Sequence, residues 1–194
     1  MKEEIINRER RKFLKISSLA TSGLLIGFHI PDNTPGANAA VPVKKNPGST
    51  FAPNAWIRID TDNSVTIMVN HSEMGQGIST ALPMIVAEEL EADWSKVRPE
   101  IAPVDKVYEN PAFGTQWTVS STSVETSWEI LRTAGAGVRE LLIEAAARIW
   151  KVSKTTCRAK KSRVYHESSG RSFSYGELIT KTKGILIPEN VPLK

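Results

Sequence analysis

The sequence predicts an α+β fold in which a β-hairpin and a short mixed sheet pack against two helices. Apolar and polar residues alternate over 55–69, which is the period of a half-buried strand. Two later stretches, 79–91 and about 122–150, place apolar residues at helical spacing. With 194 residues and 40% apolar content, the chain is long enough to form a packed core.

Residues 1–39 have the pattern of an export signal. The run RRKFLK begins at Arg10, a weakly apolar stretch covers 16–30, and 37–39 form an A-x-A cleavage pattern. These features resemble a twin-arginine signal, although Glu9 takes the place of the usual Ser or Thr. We therefore expect a periplasmic protein, with the signal either removed or kept as a membrane anchor. A basic amphipathic arm is the alternative interpretation.

A linker and a hairpin are predicted next. Residues 40–53 form the linker, because proline, glycine and serine interrupt every apolar period there. The folded part, 54–194, begins with two runs of alternating apolar residues on either side of the turn cluster 61–63. Such alternation around a polar turn is typical of a β-hairpin.

The stretch 79–91 is predicted to be the first helix. Ser79 is expected to cap its start, and Pro83 is expected to lie near the first turn, where amides lack partners anyway. Four apolar residues share one face of this helix: Leu82, Ile85, Val86 and Leu90. A strand over 97–104 follows, and its prolines predict an edge position in the sheet. Residues 105–121 have the composition of a loop.

The longest predicted helix runs from about Thr122 to Trp150. Thr122 and Glu125 have the spacing of a capping box. The expected buried stripe consists of Ile130, Ala134, Val138, Leu141, Leu142 and Ala145. Gly135 and Gly137 weaken the helix, which predicts close packing against a neighbour. A small hairpin with its tip at 168–170 and a short helix from Tyr175 complete the chain.

Composition excludes several classes of function. The net charge is only +4 and no basic stripe alternates with aromatic residues, so nucleic acid is not an expected partner. Cys157 is the single cysteine, which excludes an internal disulfide and predicts a small residue near a helix end. The three histidines, His29, His71 and His166, are scattered, so no metal held directly by side chains is expected.

The run Gly75-Gln76-Gly77 lies between a predicted strand and a predicted helix. Glycines let a ligand approach the backbone, and a glutamine amide forms hydrogen bonds without exchanging charge at any pH. Taken alone, the run is typical of an ordinary turn. By the same reasoning, His71 and Glu73 are expected to be solvated loop residues.

Longer motifs change that interpretation. The segments PNAWIRI, EMGQG, ALPMIVAEEL, STSVETSWEILRTAGAGVRELL and SYGEL occur in this order over nearly the whole chain. Together they resemble the molybdenum-binding large subunits of the xanthine dehydrogenase/aldehyde oxidase family. The nearest branch looks like the beta subunit of isoquinoline 1-oxidoreductase and related exported aldehyde dehydrogenases. The folded part would then be the N-terminal portion of a molybdopterin-binding subunit.

The resemblance implies roles for particular residues. In this family the glutamine of Met-Gly-Gln-Gly bonds the oxo ligand of the molybdenum centre, which implies that role for Gln76, flanked by Gly75 and Gly77. The cofactor is typically molybdopterin cytosine dinucleotide, and the start of the long helix lies near it. The matching residues here are Ser121, Thr122 and Ser123. For these residues, ordinary helix capping and contact with the cofactor are alternative interpretations. Val119-Ser120 departs from the glycines common in relatives, which adds bulk there.

The implied reaction is oxidation of an aldehyde or hydroxylation of an N-heterocycle, with water as the oxygen source. Electrons would pass to an iron–sulfur small subunit. Family members are several times longer, and their catalytic glutamate has no match here. Glu88, Glu89 and Glu177 are expected to be solvated helix charges. We therefore expect no catalytic residue in this chain and no activity without the remainder of a large subunit.

Two further hypotheses compete with the enzyme interpretation. The chain is alternatively an exported, non-catalytic binding or remnant module without cofactor, which its short length favours. It is also compatible with a truncated product whose unpaired strand edges cause aggregation.

Overall fold

The computed structural model describes residues 24–27, 55–182, 185 and 190–194. For 24–27 and Ala55, only the backbone is described. Apart from 24–27, the predicted signal 1–39 lies outside the described residues, as does the predicted linker 40–53.

A four-stranded mixed sheet forms one layer of the fold. Its strands are β1 (Leu24–Gly27), β2 (Ala55–Ile59), β3 (Val65–Val69) and β4 (Val97–Ile101), in this spatial order. The first three run antiparallel, and β4 pairs parallel with β3. The predicted hairpin and mixed sheet are therefore confirmed. All five residues of β3 are buried, which suits a central strand covered on both faces.

Helix α1 (Ile78–Leu90) connects the parallel strands β3 and β4. The helix is confirmed, but Ser79 does not cap it, because the N-cap residue is Gly77, which has no side chain to supply a cap. Pro83 lies beyond the first turn, so its missing N–H leaves a helical carbonyl without its usual donor. Strand β4 is mostly exposed at the sheet edge, as its prolines predict, and ends at Ile101 instead of Val104.

Helix α2 (Ser123–Trp150) packs along α1. Gly135 makes this contact possible, since a Cβ there would lie 2.7 Å from the carbonyl oxygen of Val86 and 2.9 Å from Cβ of Glu89. The predicted stripe is confirmed except at Ile130, which is half-buried, whereas its neighbour Leu131 is fully buried. The buried face of α2 is therefore wider than the predicted stripe.

The predicted capping box of α2 is wrong. Thr122 has helical dihedral angles, with φ of −88°, and makes no side-chain cap. Its hydroxyl instead donates to the carbonyl oxygen of Val119 at 2.9 Å. A capping box occurs at Ser174, whose hydroxyl accepts from the backbone N–H of Glu177 while the Glu177 carboxylate accepts from the Ser174 N–H.

A second, three-stranded antiparallel sheet follows α2. Its strands are β5 (Cys157–Lys160), β6 (Arg163–His166) and β7 (Ser172–Ser174), followed by the short helix α3 (Tyr175–Leu178). This confirms the predicted small hairpin and short helix. The Gly176 N–H donates to the side-chain oxygen of Asn63 in the first hairpin turn at 2.7 Å. The start of α3 is therefore packed against the turn of the first hairpin.

Glu89 is buried, so the expectation of a solvated charge is wrong for it. Its side chain is 2% exposed and forms ion pairs with Arg132 at 2.6 Å and Arg139 at 3.3 Å. The backbone N–H of Lys194 also donates to its carboxylate at 3.0 Å. Glu88 is solvent-exposed as expected. The two arginines compensate the buried charge, which sequence spacing does not reveal.

Candidate functional site

The loop between β3 and α1 contains the Gly75-Gln76-Gly77 run, and we call residues 72–77 the glutamine loop. Gly75 and Gly77 have φ of 94° and 83°, a region that other residues rarely adopt. A Cβ at either position would meet no atom within 4 Å. The glycines are thus required by backbone conformation, and the space around them is open to a ligand.

Glu73 organises the glutamine loop, and sequence reasoning missed this role. One carboxylate oxygen accepts from the N–H groups of Gly75 at 2.8 Å and Gly77 at 3.0 Å. The other accepts from the N–H of Ser79 at 2.9 Å. Hydrogen bonds from the backbone of Ser79 and Gly77 lower the pKa of Glu73 to about 2. A glutamate just before a glycine-rich helix start is the sequence signal that indicates this arrangement.

The side-chain amide of Gln76 is oriented by its own loop. Its oxygen accepts from the N–H of Met74 at 2.6 Å, and its nitrogen donates to the carbonyl oxygen of Ser72 at 2.7 Å. The nitrogen carries a second hydrogen with no acceptor among the described residues. Gln76 is exposed, so this arrangement offers an outward N–H donor to a ligand.

His71 is buried, so the expectation of a solvated residue is wrong for it. Its ring nitrogens lie 3.5 Å from the hydroxyl of Thr118 and 3.4 Å from the hydroxyl of Ser127. The Thr118 hydroxyl also accepts from the N–H of Ser72 at 2.9 Å. Burial lowers the pKa of His71, opposed by a backbone hydrogen bond at Trp117. His71 therefore connects the glutamine loop with the approach to α2 and with α2 itself.

The other predicted site residues lie where α2 begins. Ser120 and Ser121 have φ of 55° and 56°, the left-handed conformation, and they precede Thr122 at the N-cap. Ser123 is buried, and no side chain caps the first turn. The amide N–H groups of this turn are available to an acceptor. The connection between this segment and the glutamine loop passes through Thr118 and His71.

An apolar groove lies between α1 and α2. It has a volume of about 400 Å³. Its lining residues are Met84, Ile85, Glu88, Glu89, Trp128, Arg132 and Lys194.

Within the described part of the chain, no helix has both the length and the apolar character to cross a membrane. The residues that the structure describes also contain no cluster of three or more His, Cys, Asp or Glu side chains that could hold a metal ion.

Comparison with known proteins gives a family and a set of relatives. Residues 30–193 match the family described as molybdopterin cofactor-binding domain. The chain is 38% identical over 191 residues to the beta subunit of isoquinoline 1-oxidoreductase from Brevundimonas diminuta, covering 97% of this chain and 23% of that protein. It is 35% identical to a membrane-bound aldehyde dehydrogenase (pyrroloquinoline-quinone) of Gluconacetobacter polyoxogenes, covering 93% of this chain and 22% of that one. The chain thus spans less than a quarter of the length of these relatives.

Solved structures show the same fold. A Cu,Mo-CO dehydrogenase matches with a TM-score of 0.50 and 21% identity over 63% of this chain and 15% of its own. The reconstituted CO dehydrogenase from Oligotropha carboxidovorans matches with the same values, 0.50, 21%, 63% and 15%. The predicted fold class, a part of the molybdopterin-binding domain of molybdenum hydroxylases, is confirmed. Because the match covers residues 30–193, the chain belongs to the molybdopterin cofactor-binding domain family.

Proposed function

We propose that this chain supplies the glutamine loop to the cofactor site of a molybdenum hydroxylase. One observation carries the proposal: Gln76 has its amide orientation set by Met74 and Ser72, which leaves one exposed N–H donor. Gly75 and Gly77 leave open space beside it, so the described residues fit a polar cofactor atom. When bound, the molybdenum cofactor supplies the redox chemistry. Gln76 would donate a hydrogen bond to its oxo group, an electrostatic role without proton transfer.

The start of α2 is proposed to contact the phosphate end of the cofactor. Its first-turn N–H groups are uncapped and carry the positive end of the helix dipole, which favours an anion. Ser121, Thr122 and Ser123 are the residues concerned. Molybdopterin cytosine dinucleotide is the form we propose from the family resemblance, and its phosphate groups suit such a site. Ser120 adds a side chain on the approach, and its exposure leaves room for the ligand.

The names of the relatives suggest the substrate class. They include an isoquinoline oxidoreductase, an aldehyde dehydrogenase and, at 28% identity over 91% of this chain and 14% of its own length, a nicotinate dehydrogenase chain of Pseudomonas putida. We propose an aldehyde or an N-heterocycle as substrate. One relative is named for pyrroloquinoline quinone. Molybdopterin is favoured here because the family match covers residues 30–193.

The proposed assembly needs more than the described residues. Two relatives are named as subunits, which favours partner chains for this one as well. We propose an iron–sulfur small subunit and the segments of a large subunit that the relatives have in addition. The twin-arginine pattern in residues 1–39 supports export to the periplasm with cofactor already inserted. The 194-residue chain by itself is expected to show no turnover.

The first test is the native mass and molybdenum content of the tagged protein recovered from its own host. A large complex with stoichiometric molybdenum is the expected result. A metal-free chain recovered alone would instead favour the non-catalytic module.

A matched pair of variants then tests the site itself. Gln76→Ala is expected to reduce the molybdenum retained after dialysis, because it removes the outward donor. Gln116→Ala is the control, since Gln116 likewise bonds backbone through both amide atoms, to Asp105 at 3.0 Å and Pro103 at 3.1 Å. Equal molybdenum retention by both variants would argue against a cofactor contact at Gln76.

A further inference from the structure

We infer that Glu73 is the positioning residue of the proposed cofactor contact: its carboxylate holds the glutamine loop in the conformation that presents the N–H of Gln76. The inference rests on the proposed function for the ligand, but the holding of the loop is a property of this chain alone. Glu73 is not proposed to contact the ligand, because its carboxylate oxygens accept from backbone N–H groups. It acts through the backbone on either side of Gln76.

Glu73 accepts hydrogen bonds from the residues on both sides of Gln76 in the sequence. A single carboxylate oxygen accepts from Gly75 at 2.8 Å and from Gly77 at 3.0 Å, the residues directly before and after Gln76. One atom therefore orients the peptide units Met74–Gly75 and Gln76–Gly77. The second oxygen accepts from Ser79 at 2.9 Å, which joins the loop to the first turn of α1.

The other side-chain hydrogen bonds of the loop are neutral ones, made by the Gln76 amide and by the Thr118 hydroxyl. Residues 72–77 are all exposed, so apolar burial contributes little to their order. Gly75 and Gly77 have positive φ, and glycine loses the most backbone freedom on ordering. Charge-assisted hydrogen bonds are about twice as strong as neutral ones, which makes the carboxylate the main ordering group.

The Glu73 carboxylate occupies the N-terminus of α1, so of the two long helices only α2 has an N-terminus left open to an anion. α1 has no side-chain cap at Gly77 and no acidic residue in its first turn, so the Glu73 carboxylate supplies the missing negative charge. The position that a phosphate would take at this end is already filled by the protein. The uncapped start of α2 is left for the anionic part of a ligand.

The test compares two glutamates in hydrogen–deuterium exchange by mass spectrometry. Glu73→Gln keeps the size and removes the charge; Glu177→Gln does the same at Ser174, where Glu177 accepts two hydrogen bonds of 2.7 Å far from the loop in sequence. The protein is used as it is recovered from its host. Peptides covering 72–80 are expected to exchange at least about tenfold faster in Glu73→Gln, the factor that corresponds to losing one charged hydrogen bond. Glu177→Gln is expected to leave them unchanged.

Further outcomes separate the inference from the proposed function. Unchanged exchange over 72–80 in Glu73→Gln overturns the inference, whatever the molybdenum content. Faster exchange in a protein that never carries molybdenum supports the loop-holding role of Glu73 and removes the proposed function. Exchange over β3 is expected to stay as slow as in the unmodified protein, which serves as the check that the variant is folded.

A double-variant comparison adds a readout that a merely structural role would not show. If Glu73 acts through Gln76, the variant carrying both Glu73→Gln and Gln76→Ala should retain as much molybdenum as Gln76→Ala alone. If the double variant retains less molybdenum than Gln76→Ala, by the further factor that Glu73→Gln shows alone, the two residues act independently and the inference is contradicted. Glu73→Asp is expected to fail to rescue retention, because its shorter side chain does not reach Ser79 and the flanking amides together.

Discussion

His71 and Glu73 lie two positions apart and have opposite environments. His71 is 1% exposed and contacts side chains of the α2 region, whereas Glu73 is exposed and bonds only its own loop and the start of α1. Residues two apart on a strand would share a face, but both of these lie beyond the end of β3 at Val69, in a loop that does not keep strand geometry. The pair therefore orders the glutamine loop from two sides, one through burial and one through charge.

The buried histidine predicts a pH dependence of stability. Burial lowers the pKa of His71 in the folded state below its ordinary value of 6.5. The unfolded chain then binds the proton more readily, so the free energy of unfolding is highest above pH 6.5 and falls as the pH decreases below it. Urea unfolding at pH 7.5, 6.5 and 5.5, values chosen around the histidine pKa of about 6.5, measures this slope. His71→Gln is expected to flatten it.

Glu73→Gln is the control for this pH series. The pKa of Glu73 is lowered from 4.5 to about 2, so its contribution is lost only as the pH falls below 4.5. The slope between the neutral and mildly acidic samples should therefore remain in Glu73→Gln. An unchanged slope in His71→Gln would show that another group is responsible.

The two long helices share a buried contact that depends on one small residue. Gly135 of α2 faces Val86 and Glu89 of α1, and an added methyl group would overlap backbone as well as side chain. Helix propensity alone favours alanine over glycine by about 1 kcal/mol. The sequence predicted this close packing, because glycine weakens a helix unless a neighbour requires the space, but it did not identify α1 as that neighbour.

Gly135→Ala is expected to destabilise the protein in spite of its higher helix propensity. Overpacking against a backbone oxygen 2.7 Å away costs roughly 1–3 kcal/mol, which exceeds or offsets the propensity gain of about 1 kcal/mol. The free energy of unfolding in urea is the measurement. Glu129→Ala, at an exposed position of the same helix, should change it by less than about 0.5 kcal/mol. A more stable Gly135→Ala would mean that α1 moves away without loss.

At the scale of the whole molecule, Glu89 joins three parts of the chain. It lies on α1, pairs with Arg132 and Arg139 on α2, and accepts from the backbone N–H of Lys194. Arg139 also donates to the carbonyl oxygens of Glu89 and Pro192. The network contacts Pro192 and Lys194 through main-chain atoms, so these contacts do not depend on their side chains.

Glu89→Gln is expected to cost roughly 3–5 kcal/mol of unfolding free energy, because it leaves two arginines beside a neutral amide in a buried place. Glu88→Gln is the matched control on the same turn. Glu88 is 72% exposed and pairs only with the ammonium of Lys194 among the described ion pairs, so its loss should cost below about 1 kcal/mol. Similar losses in both variants, measured by urea unfolding, would contradict the importance of burial.

Much of the fold was predictable because it depends on neighbours in sequence. The hairpin around 61–63, both long helices and the edge strand follow from period and from turn or proline chemistry. Helix starts were less predictable. Ser79 and Thr122 have the right side chains for capping, yet Gly77 and a left-handed pair of serines set the geometry at these ends.

The sequence by itself determined the order of elements after residue 54, the α+β class and the motif that places Gln76 between two glycines at a helix start. Only the tertiary structure decided that Glu73 holds that loop, that His71 is buried and that Glu89 is an internal charge. The physical reason is the separation along the chain between the residues that interact. Periodicity records the local geometry of a chain, whereas burial and ion pairing depend on partners such as Arg132 and Arg139, 43 and 50 residues further along.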